Sequence, residues 1–188
     1  MTQLIAGVDE VGVGPIAGPV IAAAVILDPN RAIYKLRDSK MLTALERETL
    51  FPKIHQRALG IGIGSASVEE IDQLNIFHAT LLAMERAILN LPLTPALILI
   101  DGRSCPRLSL PMKAIVGGDK TQKCISAASI VAKVTRDRLM LDYHKLYPQY
   151  RFDKHKGYST RAHQLLLKEY GKSPIHRLSF KRVAALDI

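Results

Sequence analysis

Cysteine is scarce in this chain. Its 188 residues contain two, Cys105 and Cys124, which form neither a disulfide framework nor a spaced metal motif. That usage fits free thiols in a reducing compartment. Long apolar runs are also missing. The longest, Gly18 to Leu27 around Pro19, is about ten residues, too short for a bilayer-spanning helix. The opening Met1-Thr2-Gln3-Leu4 has no basic n-region and no small-residue cleavage site, so no secretory leader is expected and the cytoplasm is the expected location. There is no internal repeat, no low-complexity tract and no long linker. Histidines and cysteines do not cluster at ligand spacing, which argues against zinc.

What remains is an ordinary globular composition. Apolar residues make up 48%, which excludes a disordered chain. A chain of this length buries roughly 70% of its unfolded surface and folds without metal or disulfide staples. The net charge of +9 is unevenly spread. Residues 1–102 hold 8 Lys and Arg against 11 Asp and Glu, a net of −3, whereas residues 103–188 hold 18 against 6, a net of +12. A basic half suggests a polyanionic partner, most often nucleic acid; a solvated basic face is the alternative.

Short apolar runs at 4–9, 19–27, 58–65, 96–100 and 112–116 read as strands. Helical periodicity covers 43–56, 68–74, 77–89, 121–147 and 160–170, with a capping-box pair at Thr43 and Glu46. On the third strand, glycines alternate with larger residues and leave one face bare. Strands first, then strands alternating with helices, predict an α/β domain with a mixed sheet covered by helices. Its boundaries are taken as 1–147 for the main domain and 148–188 for a basic, loop-rich helical part packed on it.

Asp9-Glu10, Asp101 and Asp119 each follow a short apolar strand. Charges at the ends of buried strands are expensive unless paired or metal-bound, and ligands in α/β sheets sit at those ends. Gathered together, these carboxylates would raise one another's pKa, and divalent cations would remove the repulsion. Hard oxygen donors suit Mg²⁺ or Mn²⁺. Such a set can hold two ions about 4 Å apart, the clamp used for phosphodiester hydrolysis. Independent loop or helix capping by each acid is the alternative.

The segment Gly12-Val13-Gly14-Pro15-Ile16-Ala17-Gly18 imitates a dinucleotide fingerprint, but a strand-like run follows it, not a crossover helix. It is either a tight strand connection or a place where exposed amides meet a ligand. Asp38-Ser39-Lys40 is either a helix-entry loop or a hydroxyl and a cation aimed at phosphate. His155-Lys156-Gly157-Tyr158 offers an aromatic among bases, suited to stacking or simply to packing at an edge. Phe180 in His176-Arg177-Leu178-Ser179-Phe180 is expected to dock the tail.

Taken in order, Gly7-Val8-Asp9-Glu10-Val11-Gly12 with Gly14-Pro15 and Gly18-Pro19, Asp38-Ser39-Lys40, Ile100-Asp101-Gly102, Gly118-Asp119, the run from Ser126 to Asp137, and His155-Lys156-Gly157-Tyr158 resemble bacterial ribonuclease HII from about residue 4 to 183. The resemblance implies a ribonuclease H-like fold, with a mixed five-stranded sheet flanked by helices and a small C-terminal helical part. It implies cleavage of RNA in RNA–DNA hybrids and cutting 5′ to single ribonucleotides in duplex DNA, leaving 3′-hydroxyl and 5′-phosphate ends. Asp9, Glu10, Asp101 and Asp119 match the carboxylates that bind Mn²⁺ or Mg²⁺. Gly12, Val13 and Gly14 match the loop that reads the 2′-hydroxyl, Ser39 and Lys40 match phosphate-side contacts, and Tyr158 matches the stacking tyrosine. The family's loop usually reads Gly-Arg-Gly, so Val13 removes a guanidinium, and Ser159 replaces a usual proline. A monomer without membrane association is expected. A non-catalytic hybrid-binding module and a cofactor-binding α/β enzyme are the competing readings.

Overall fold

The computed structural model describes residues 3–186. Met1 and Thr2, where the leader reading starts, and the last two residues of the 148–188 segment lie outside the described residues.

Five strands form one sheet: β1 (Ile5–Val11), β2 (Val20–Leu27), β3 (Ala58–Ala66), β4 (Leu97–Asp101) and β5 (Met112–Ile115). The helices are α1 (Ala44–Arg57), α2 (Val68–Leu89), α3 (Gly118–Thr121), α4 (Lys123–Leu146), α5 (Phe152–His155), α6 (Arg161–Tyr170) and α7 (Lys181–Ala184). Single 3₁₀ turns occupy Ser39–Met41 and Pro148–Tyr150. The strand order is β3-β2-β1-β4-β5. β1, β2 and β3 pair antiparallel, and β4 and β5 add in parallel on the other side of β1. This is the mixed five-stranded sheet that the sequence predicts.

Strand alternation divides the core. Ala6, Val8, Val20, Ala22, Ala24 and Ile26 face α2, while Ala23 and Val25 face α1 and α4. The bare face of β3 has a steric reason. A Cβ on Gly62 would stand 2.1 Å from the Ala87 carbonyl, and one on Gly64 would stand 2.2 Å from that of Ala83. The α2 backbone thus lies directly on the strand, closer than any side chain permits.

Capping boxes open α1 at Thr43 and Glu46 and α2 at Ser67 and Glu70. The two helical segments expected at 68–74 and 77–89 form one helix broken by Asn75, at φ 66° and ψ 165°. Its side chain accepts from the Phe77 and His78 amides and so caps the second segment. The helix expected at 121–147 begins later, at Lys123, because Gln122 is extended and separates α3 from α4.

Past α4 the chain builds a smaller cluster. Tyr150, Phe152, Leu167, Ile175 and Val183 pack with Met140 of α4 and with Ile16 and Ala17 of the β1–β2 loop. Phe180 packs against both this cluster and the main core. Among the described residues no helix is long and apolar enough to cross a membrane.

Candidate active site

Parallel pairing sets Val8 level with Ile100, so Asp9 and Asp101 leave neighbouring strands at the same end of the sheet. Asp119 arrives differently from the sequence expectation. It sits not at a strand end but in the first turn of α3, because Gly117 adopts a left-handed conformation at φ 67° and turns the chain. The Asp101 carboxylate draws that turn in, accepting from the Gly118 amide at 2.7 Å and the Asp119 amide at 3.4 Å. Ser126 of α4 fixes its other side by donating to the Asp119 carbonyl at 2.7 Å. The small residues at the start of α4 make this approach possible.

Asp9, Asp101 and Asp119 each offer an oxygen within 4.8 Å of the others. Glu10 is not in that group, since alternation along β1 turns it away from Asp9. It remains electrostatically joined to the site. Burial and then the Asp101 charge push its carboxyl up. Burial, followed by the Glu10 and Asp101 charges, holds Asp9 well above the usual carboxylate range, against hydrogen bonds from Ser129 and the Glu10 amide. Asp119 is raised by burial, then by Asp101 and Asp38. Buried carboxylates that destabilise each other's charge form a hard-oxygen donor set suited to a divalent cation.

One cation of the chain approaches them. Desolvation would lower the Lys40 ammonium, but Asp9, Asp38, Asp119 and Glu10 together raise it. Asp38, which the sequence reading left without a role, is buried and accepts from the Lys40 amide at 2.8 Å. Ser39 is also buried. Its hydroxyl meets that of Ser129 at 2.8 Å and does not face solvent.

Two residues after Glu10 the glycine loop begins. Gly12 has φ 96°, and a Cβ there would strike the Arg136 side chain at 2.3 Å. The Val13 side chain is 39% exposed and Tyr158 is 41% exposed. A Cβ on Gly14 would lie 3.8 Å from the Tyr158 ring, so loop and tyrosine form one surface. Tyr158 stands on a turn whose Gly157 carbonyl accepts from the Ile16 amide at 2.9 Å.

Beneath Tyr158 lies a cluster that the sequence did not disclose. His163 donates through Nδ1 to the Tyr158 carbonyl at 2.9 Å, and its Nε2 lies 3.0 Å from His176 Nε2. His176 Nδ1 accepts from the Ser173 amide at 2.9 Å. His155 stacks on His163 with ring centres 4.0 Å apart. Burial pulls His163 and His176 down to about 4 and lowers His155. Arg136 and Arg177, also unforeseen, are fully buried. Burial brings them down to about 10 and about 9, so both stay charged at neutral pH. Arg136 had a readable signal: Ala132, Arg136 and Met140 recur every four residues on the buried stripe of α4.

The family model described as ribonuclease HII matches residues 6–183. A ribonuclease HII of Cupriavidus necator is 56% identical over 184 residues, covering 96% of this chain and 77% of that protein. One from Idiomarina loihiensis is 52% identical, covering 97% of this chain and 98% of its own length. Among solved structures, the ribonuclease H2 of Pyrococcus horikoshii superposes with a TM-score of 0.82 at 25% identity, covering 98% of this chain and 97% of that one. The fold is therefore ribonuclease H-like. With a family match over nearly its whole length and a buried acidic site at the end of its central strands, this chain belongs to the ribonuclease HII family of endonucleases.

Proposed function

We propose that this endonuclease hydrolyses RNA within RNA–DNA hybrids and cuts 5′ to single ribonucleotides embedded in duplex DNA, leaving 3′-hydroxyl and 5′-phosphate ends. One observation carries the reading. Three carboxylates, those of Asp9 and Asp119 buried and that of Asp101 half-buried, converge at the end of β1 and β4, and the chain leaves β1 directly into an exposed loop backed by Tyr158. Acid for cations, amides for a hydroxyl and an aromatic face for a sugar or base thus share one surface.

Two Mn²⁺ or Mg²⁺ ions held by Asp9, Glu10, Asp101 and Asp119 would neutralise the scissile phosphate and activate water for in-line attack. The chain's own residues do the rest. Asp101 holds α3 against the sheet through the Gly118 amide and keeps Asp119 in place. Lys40 brings a positive charge to the phosphate side, anchored by Ser39 on Ser129. The Val13 and Gly14 amides donate to the 2′-hydroxyl, the group that separates RNA from DNA. Tyr158 stacks on the neighbouring sugar. The protein works as a monomer in the cytoplasm.

The test uses labelled duplexes with one ribonucleotide, four ribonucleotides or none, each with Mn²⁺, Mg²⁺ or EDTA, and maps the product ends. A metal-dependent cut 5′ to the lone ribonucleotide, with the all-DNA duplex intact, is expected. Tight hybrid binding without cleavage in either metal would replace the reading with that of a binding module.

A further inference from the structure

The β1–β2 loop owes its shape to two guanidiniums beneath it. Arg177 donates to four of its carbonyls: Gly12 at 2.6 Å, Val13 at 3.1 Å, Pro15 at 2.7 Å and Gly18 at 2.8 Å. Arg136, from α4, donates to Ala17 at 3.0 Å and Pro19 at 3.0 Å, and to Lys156 in the tyrosine turn at 2.9 Å. Both side chains are 0% exposed, and among the described residues neither forms an ion pair. A buried charge without a counter-ion is a costly way to brace a loop that apolar packing could support. The carbonyl pattern supplies a reason for it.

In a trans peptide the carbonyl and the next amide point in opposite directions, and among the described residues there is no cis peptide bond. Gly12 and Val13 turn their carbonyls inward to Arg177, so the Val13 and Gly14 amides turn outward. Neither amide is bonded to another group of the described residues. Of the amides further along, Ile16 donates to Gly157 at 2.9 Å and Gly18 to Ile175 at 2.8 Å. The inward-facing guanidinium thus selects two adjacent outward donors, beside the Tyr158 ring.

Arg177 is itself held in register. Its amide donates to the Ile16 carbonyl at 2.9 Å, and its guanidinium lies 5.0 Å over the Phe180 ring. Asp72 of α2 accepts from the next two amides, Leu178 and Ser179, each at 2.9 Å. The position of the loop is therefore tied to the main core through the C-terminal segment.

We propose that Arg177, supported by Arg136, is a positioning residue that sets discrimination for a lone ribonucleotide by fixing the Val13 and Gly14 amides outward. The proposal rests on the reading that this loop meets the 2′-hydroxyl. A lone ribonucleotide offers one hydroxyl in one register, so it depends on the donor pair being preset. A ribonucleotide tract offers many registers and tolerates a loosened loop. Lysine at 177 would keep the charge, but its compact ammonium cannot span four carbonyls.

The experiment measures kcat/KM on a one-ribonucleotide duplex and on a long hybrid for wild type, Arg177→Lys and Asp72→Ala, with a thermal melt of each. Arg177→Lys should lower the ratio of lone to tract cleavage by roughly 10- to 100-fold, the scale of one charge-assisted hydrogen bond. Asp72→Ala, on the outer side of α2, should shift the ratio the same way by a smaller factor. A merely structural role depresses both substrates together, so an unchanged ratio in Arg177→Lys overturns the proposal. If that variant does not fold, an unchanged ratio in Asp72→Ala overturns it. Wild-type protein that cuts neither substrate overturns the underlying reading as well.

Discussion

Ser39 and Ser129 meet hydroxyl to hydroxyl at 2.8 Å, buried and 90 residues apart in the chain. Ser129 also works against the rise of the Asp9 carboxyl. This contact pins the 38–40 turn to α4 and sets Lys40 beside the carboxylates. Replacing Lys40 by Gln should raise KM roughly tenfold and flatten the salt dependence of binding by about one phosphate contact. Steady-state kinetics across a salt series checks both. An unchanged salt slope would remove Lys40 from the phosphate side.

Protons and cations should compete at the acidic site. Asp9, Glu10 and Asp119 all have raised carboxyls, chiefly through burial. Each must lose its proton to bind a cation, so affinity weakens as pH falls through the raised values, by up to about tenfold per pH unit for each proton displaced. The sign for the stability of the metal-free fold is the opposite one. A raised folded-state pKa stabilises the fold below the unfolded value, and this contribution is lost as pH rises through the folded one. Calorimetric Mn²⁺ titrations at several pH values should show weaker binding in acid. Affinity independent of pH would contradict it.

The histidine cluster should act in the opposite direction. His163 and His176 fall to about 4, mainly through burial. Between that value and the ordinary histidine range, near 6.5, the unfolded chain binds more protons than the native one. The stability they contribute is present above that window and is lost as pH falls through it. Amide exchange in residues 150–176 should quicken at pH 5 relative to pH 7, after correction for intrinsic rates, before the central sheet responds. Uniform quickening across the chain would contradict it.

Val13 should be replaceable without disturbing the loop, because its carbonyl rather than its side chain carries the Arg177 contact. Restoring the family's usual guanidinium with Val13→Arg should tighten duplex binding by about 1–3 kcal/mol, the range for a charged hydrogen bond. Binding measured by fluorescence anisotropy decides it. No gain would mean that the loop does not face phosphate.

The strands and the acidic residues were legible because short apolar runs closing on an acid carry their own signal, although β1 runs on past Asp9 and Glu10 to Val11. So was the break at Asn75, which separates two periodic segments. Asp119 was legible as an acid but not in its setting, since the left-handed turn at Gly117 lies beyond strand patterning. Arg136 and Arg177 were read only as part of the basic half, although both are buried and neither adds to a surface patch. All but one of their partners are backbone carbonyls about 120 to 165 residues away, a pairing that no local pattern encodes. The three clustered histidines, two of them stacked, come together through tertiary contact as well.

The central claim, that the carboxylate cluster binds the cation on which cleavage depends, is tested most directly at Asp101. Asparagine there keeps an oxygen that can accept from Gly118 but removes a charge from the repelling group. The measurement is the melting temperature of wild type and Asp101→Asn with and without Mn²⁺, alongside turnover of the one-ribonucleotide duplex. Wild type should gain stability with Mn²⁺ and cleave. The variant should fold at least as stably without metal, lose most of the Mn²⁺-induced gain and fall in turnover by several orders of magnitude. A variant that still cleaves, or whose melt responds to Mn²⁺ as wild type does, would contradict the account.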